Sequence, residues 1–123
     1  MAKRKRIGAE KLRDVVIAAL HDIKGLDVVV FDARGVSAIT DFVVVVSGTS
    51  DRHVRSLAGN VQKQAKDAGV PTLGLEGEEA GEWVLVDLRD VVVHVMLQRA
   101  RAFYQLEKLW GADTPLATGV RRG

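Results

Sequence analysis

Apolar positions along this chain follow two rhythms. Leu12, Val15, Val16, Ala19, Leu20 and Ile23 recur at helical spacing, so residues 10–23 predict an amphipathic helix. Lys24-Gly25 ends it, with Gly25 suited to a left-handed cap. Leu26-Asp27-Val28-Val29-Val30-Phe31 is too short for another helix and rich in β-branched residues, which predicts a strand, followed by a turn at Asp32-Ala33-Arg34-Gly35. Phe42 to Val46 is wholly apolar, and a strand without polar alternation is buried on both faces, in the middle of a sheet. After Ser47-Gly48-Thr49-Ser50 the helical rhythm returns in Val54, Leu57, Ala58, Val61, Ala65 and Ala68, predicting a helix from Asp51 to Ala68. Ser50 or Thr49 can cap it, Asp51 suits its positive end, and Gly69 and Pro71 stop it. Residues 72–76 predict a short strand, and Glu76-Gly77-Glu78-Glu79-Ala80-Gly81-Glu82 an acidic loop. Ala100 to Leu109 predicts a last helix, with Phe103, Leu106 and Trp110 at helical spacing, and a frayed tail begins at Gly111. The order helix, strand, strand, helix, strand, hairpin, helix predicts a single-domain α/β protein, a mixed β-sheet packed with helices.

The hairpin is the stretch Trp83 to Met96, two apolar runs around Asp87-Leu88-Arg89-Asp90. With Leu88-Arg89 as the loop, Asp87 faces Asp90, Leu85 faces Val92 and Trp83 faces His94. Alternation then sorts the side chains onto two faces. Val84, Val86, Val91, Val93 and Val95 make an aliphatic face that suits a core. Trp83, Leu85, Asp87, Asp90, Val92, His94 and Met96 make the other, which is neither a clean core face nor a clean solvent face. Such a mixture of aromatic, aliphatic and charged groups suits a protein-binding patch, or a surface covered by a helix with the aspartates edging the turn.

A chain of 123 residues can bury a real core as one domain. It contains no cysteine, which excludes disulfides and thiolate zinc sites. No apolar signal core follows the basic start, no segment approaches a membrane span, and a soluble cytoplasmic protein without membrane contact is expected. The net charge is only +2, with basic residues gathered at Lys3-Arg4-Lys5-Arg6 and Arg121-Arg122. Such ends can touch RNA phosphates, although solvated tails more often look the same. The middle of the chain is nearly charge-balanced and does not indicate a nucleic-acid groove.

Gly48-Thr49-Ser50, between a strand and a helix, could hold an anion on its backbone N–H groups, with Arg52 and His53 in the first turn; the favoured reading is an ordinary helix cap. It lacks the spacing and lysine of a phosphate-binding P-loop. A metal-dependent transferase needs closely set carboxylates, and no D-x-D pair follows on a strand. Ser37, Ser47, Ser50 and Ser56 lie in no nucleophile pattern, and His21, His53 and His94 are too scattered for a metal site. Asp41, just before the buried strand, could accept hydrogen bonds from nearby backbone N–H groups. No catalytic residue, metal or cofactor is assigned.

Five motifs occur in order: I-T-D-F at Ile39–Phe42, S-G-T-S-D-R-H-V at Ser47–Val54, L-E-G-E at Leu75–Glu78, E-W-V-L-V-D-L-R-D-V-V-V-H-V-M at Glu82–Met96, and R-A-F-Y-Q-L-E-K-L-W-G at Arg101–Gly111. Together, across residues 12–113, they resemble the ribosomal silencing factor family, also called Iojap-like proteins. The resemblance implies a nucleotidyltransferase-like topology lacking catalytic carboxylates, and a non-catalytic role. Family members bind the large ribosomal subunit through its fourteenth protein (uL-fourteen), block joining of the small subunit and lower translation when nutrients are scarce. Carried to this sequence, the partner-binding residues are Trp83 as aromatic anchor, Leu85, Val92 and Met96 as apolar contacts, Asp87 and Asp90 toward basic groups, and His94, Arg101 and Tyr104 beside them. Arg89 stands where many relatives carry glycine. The implied organisation is a basic extension over residues 1–9, the domain over 10–113 and a flexible tail over 114–123, with the basic tail a candidate contact for ribosomal RNA. A competing function is a nucleotide-binding or nucleotidyl-transferring enzyme using Gly48-Thr49-Ser50; another is a homodimer seam at the hairpin face.

Overall fold

The first amphipathic stripe forms α1 (Ala9–Asp22), burying Leu12, Val16, Ala19 and Leu20 and leaving Val15 half-buried. The computed structural model describes residues 7–104 and 120–122. At the exit from α1 it is Lys24, not Gly25, that takes the left-handed conformation, at φ 60. Gly25 answers to space instead, because a Cβ there would stand 2.7 Å from Cγ2 of Val46. Next come β1 (Leu26–Asp32), β2 (Phe42–Gly48), α2 (Asp51–Asp67), β3 (Gly74–Glu76), β4 (Trp83–Asp87), β5 (Val91–Leu97), α3 (Gln98–Tyr104) and β6 (Val120–Arg122). Ser50 caps α2, its Oγ accepting the N–H of His53 at 3.0 Å.

The strands form one six-stranded sheet in the order β3-β4-β5-β2-β1-β6. β1 runs antiparallel to β2, β2 parallel to β5, and β4 antiparallel to both β3 and β5, so the sheet is mixed. β2 is interior and every residue of it is buried, as its unbroken apolar run predicts. Register places Phe42, Val44 and Val46 in line with Val91, Val93 and Val95, and these with Val84 and Val86. That face lies under α1 and α2, which pack on each other and on the sheet. The core is aliphatic, as the Val-rich composition requires.

One end of the sheet is closed by polar groups. Arg34 donates through Nε and Nη2 to the two carboxylate oxygens of Asp32 (2.9 and 2.6 Å) and through Nη1 to Glu10 of α1 (2.8 Å). Its guanidinium lies 4.8 Å from the centre of the Phe42 ring, and that of Arg13 lies 4.9 Å from the same ring. At Asp41 it is the backbone that makes the contacts, not the carboxylate: its N–H donates to the carbonyl of Asp90 and its carbonyl accepts from Ala33.

The hairpin register differs from the expected one by two residues. Asp87 faces Val92, Leu85 faces His94 and Trp83 faces Met96. Leu88 is buried and its N–H donates to the carbonyl of Val91, which makes Asp90 part of the turn rather than a strand partner. A slip of two preserves the assignment of faces, because side chains alternate with a period of two. The turn holds Arg89 at φ 74, in the left-handed region that favours glycine, its N–H held by Asp87 Oδ1 at 2.8 Å. Arg89→Gly should raise stability by about 1 kcal/mol by relieving this strain. A shift of the urea midpoint at constant slope reads it.

Residues 105–119, with Leu106 and Trp110 of the expected last helix and most of the expected flexible tail, lie outside the described residues, as does Lys3-Arg4-Lys5-Arg6. Val120–Arg122, within that tail, pair in parallel with β1 as an edge strand.

Candidate functional site

Opposite the helices, the sheet presents its second face in rows fixed by register. One row runs Glu76 (β3), Leu85 (β4), His94 (β5), Val45 (β2) and Val29 (β1). A second runs Gly74, Asp87, Val92, Val43 and Phe31. Burial changes along each row. Val29, Val45, Val43 and Phe31 are buried, whereas Leu85, Asp87, Val92 and His94 are half-buried and Glu76 is exposed. The β3–β4–β5 side of this face is therefore partly open.

Trp83 stands at this open side, half-buried and packed on the edge of the core. Its indole Nε1–H donates to Nδ1 of His94, its diagonal cross-strand neighbour, at 3.0 Å. The rings are tilted by 50° with centroids 5.9 Å apart. With Nδ1 accepting, neutral His94 carries its own proton on Nε2. Trp83, Leu85 and His94, with Glu76 and Gly77 from β3 and the loop after it, line a shallow open hollow.

Burial pushes His94 down to about 4 from an ordinary 6.5. The folded state therefore resists a proton that the unfolded chain accepts. His94 leaves stability intact above about pH 6.5 and lowers it progressively as pH falls from there toward 4. Denaturation midpoints across that window should fall with pH in the wild type, and less steeply in His94→Gln, which has nothing to titrate there.

Three of the expected partner-binding residues are placed elsewhere. Met96 shares the mixed face but is fully buried, where α3 turns back over β5 and β2. Arg101 of α3 donates through Nη1 to the carbonyl of Asp27 (2.6 Å) and to Ser47 Oγ (3.0 Å), tying the helix to β1 and β2. Asp90 lines a different hollow, with Leu12, Val70, Pro71, Leu73, Leu88 and Arg89. Tyr104 ends α3, and its side chain lies outside the described residues. Trp83, Leu85, Asp87, Val92 and His94 share one half-open surface. Glu76 and Gly77 join it without having been singled out in the sequence, because only the β3–β4 register carries Glu76 to that face.

The Gly48-Thr49-Ser50 loop closes on its own helix. The Thr49 N–H donates to His53 Nδ1 at 2.9 Å, and His53 Nε2 donates to the carbonyl of Ile23 at 2.7 Å. With Ser50 Oγ on the His53 N–H, two of the loop's polar groups serve as cap and brace, joining α2 to the end of α1. Among the described residues no three His, Cys, Asp or Glu side chains come together to hold a metal, and no helix is long and apolar enough to cross a membrane.

Fold and site define a single-domain α/β protein with a partly open sheet face beside a hairpin. The family model described as "Ribosomal silencing factor during starvation" matches residues 7–121. A ribosomal silencing factor of Chromobacterium violaceum is 45% identical over 106 residues, covering 86% of this chain and 87% of the relative. That of Bacillus subtilis is 41% identical over 103 residues, covering 84% and 86%. A crystal structure of a Chromobacterium violaceum protein superposes with a TM-score of 0.85 at 42% identity, covering 92% of this chain and 94% of the other. The chain belongs to the ribosomal silencing factor family, whose members are ribosome-associated regulators rather than enzymes.

Proposed function

We propose that this protein docks on the large ribosomal subunit through uL-fourteen, and that by covering that surface it blocks joining of the small subunit. It acts in the cytoplasm and lowers translation when nutrients are scarce. The observation that carries the reading is the half-buried Trp83 on the open side of the sheet face, beside Leu85, Val92 and Asp87. A large amphipathic ring held in place on a rigid strand pair is the usual anchor of a protein interface. The mechanism is steric exclusion: two partners cannot fill one surface, so the effect follows occupancy and not turnover.

Purified large and small subunits mixed with increasing protein, and resolved on sucrose gradients, test it. The protein should travel with the large subunit, be retained by immobilised uL-fourteen, and reduce joined ribosomes in proportion to occupancy. Unchanged joining at saturating protein would overturn the reading. A phosphate contact by the basic tail would add a steep loss of binding with salt.

A further inference from the structure

We propose that the hollow between β3 and the hairpin receives one cationic side chain of the partner, Lys or Arg, its methylene stem against the indole of Trp83 and against Leu85, its charge beside Glu76. The inference rests on the docking surface proposed above and names the chemistry of what enters it.

Three observations carry it. The lining is an indole, an aliphatic side chain, a neutral imidazole and one carboxylate. The indole N–H is already spent on His94. Aromatic and aliphatic surface ending in a carboxylate matches a side chain that is apolar along its stem and positive at its tip. The segment that carries the lip of the hollow has charged side chains of one sign. From Pro71 to Leu88 the chain has Glu76, Glu78, Glu79, Glu82 and Asp87 and no Lys or Arg. Among the described residues the carboxylates of Glu76, Glu78, Glu79 and Glu82 form no ion pair. Finally, the wall of the hollow is held close: Gly77 sits at φ 85, and a Cβ there would collide with the carbonyl oxygen of Trp83. The loop backbone therefore lies directly on β4 and keeps Glu76 at the lip.

The alternatives fit less well. An anionic group would meet, within the lining, only the like charge of Glu76. A purely aliphatic group would strip water from Glu76 and offer its carboxylate nothing in return, which is costly for a charge.

Glu76 is exposed on a short strand, so Glu76→Gln and Glu76→Lys should keep the wild-type melting midpoint. Binding to purified large subunits, measured by co-sedimentation, should weaken by about fivefold in Glu76→Gln, the scale of one partly screened ion pair. It should weaken several-fold further in Glu76→Lys, where attraction becomes repulsion. Glu79→Lys, outside the lining, should cost less than Glu76→Lys. Replacing single Lys or Arg residues of uL-fourteen by Glu should identify one that restores binding to Glu76→Lys. If both Glu76 variants bind like wild type while Trp83→Ala loses binding, the hollow takes an uncharged group and the inference is overturned, with the docking surface intact. If Trp83→Ala also binds like wild type, the docking surface itself is wrong.

Discussion

Trp83→Ala is expected to weaken binding to the large subunit by about 2 kcal/mol or more, roughly thirtyfold, while the protein stays folded. The size follows from what the indole does. It is the largest side chain on the open side of the face, it forms a wall of the hollow, and its N–H is oriented by His94. It also packs on the edge of the core, so truncation removes core contact as well as interface. Trp83→Phe separates bulk from the hydrogen bond: it keeps a ring but leaves His94 Nδ1 without its indole donor, and should lose less than Trp83→Ala. Binding by co-sedimentation, with thermal midpoints measured in parallel, reads both. Light scattering on wild type and Trp83→Ala addresses the competing dimer seam. A variant that becomes monomeric yet still binds ribosomes would assign the indole to self-association instead.

The largest expected effect on stability belongs to Phe42→Ala, a loss of about 3–5 kcal/mol. Phe42 is fully buried at the start of β2 and lies on the helix-covered face. Two guanidinium groups, Arg13 of α1 and Arg34 of the β1–β2 connection, lie over its ring. Truncation would open a cavity and remove both cation–π partners at the point where α1, β1 and β2 meet. Because domains of this size are stable by about 5–15 kcal/mol, such a loss would bring the variant toward the edge of folding. Urea unfolding followed by circular dichroism would show a lower midpoint. Phe42→Leu, which refills most of the volume, should recover more than half of the loss.

Much of the architecture was legible in residue order because burial imposes a period. The stripe from Leu12 to Leu20 and that from Val54 to Ala65 became α1 and α2, and the unbroken run Phe42–Val46 became the interior strand. The aliphatic and mixed faces of the hairpin were also readable, since parity survives a register slip of two. The register itself was not, because it depends on whether a turn can hold Arg89 at positive φ and bury Leu88. The site was legible in part. Trp83, Leu85, Asp87, Val92 and His94 share the half-open surface, but Met96 matches their alternation and is nonetheless buried, because α3 folds back at that end. Arg101 was expected beside the partner-binding residues, and it donates to Asp27 and Ser47, distant in sequence.

Taken alone, the order of residues determined which segments between residues 9 and 97 are helix or strand, which side of each faces apolar surroundings, and, through its ordered motifs, the family, whereas the strand Val120–Arg122 was read as tail. Local periodicity and short-range turn chemistry are sufficient for the first two. Tertiary structure decided which part of the mixed face stays open, which of its residues are spent on internal contacts, and that Glu76 and Gly77 complete the hollow around Trp83. These outcomes depend on strand register and on where α3 packs, and both are settled by contacts between residues far apart along the chain.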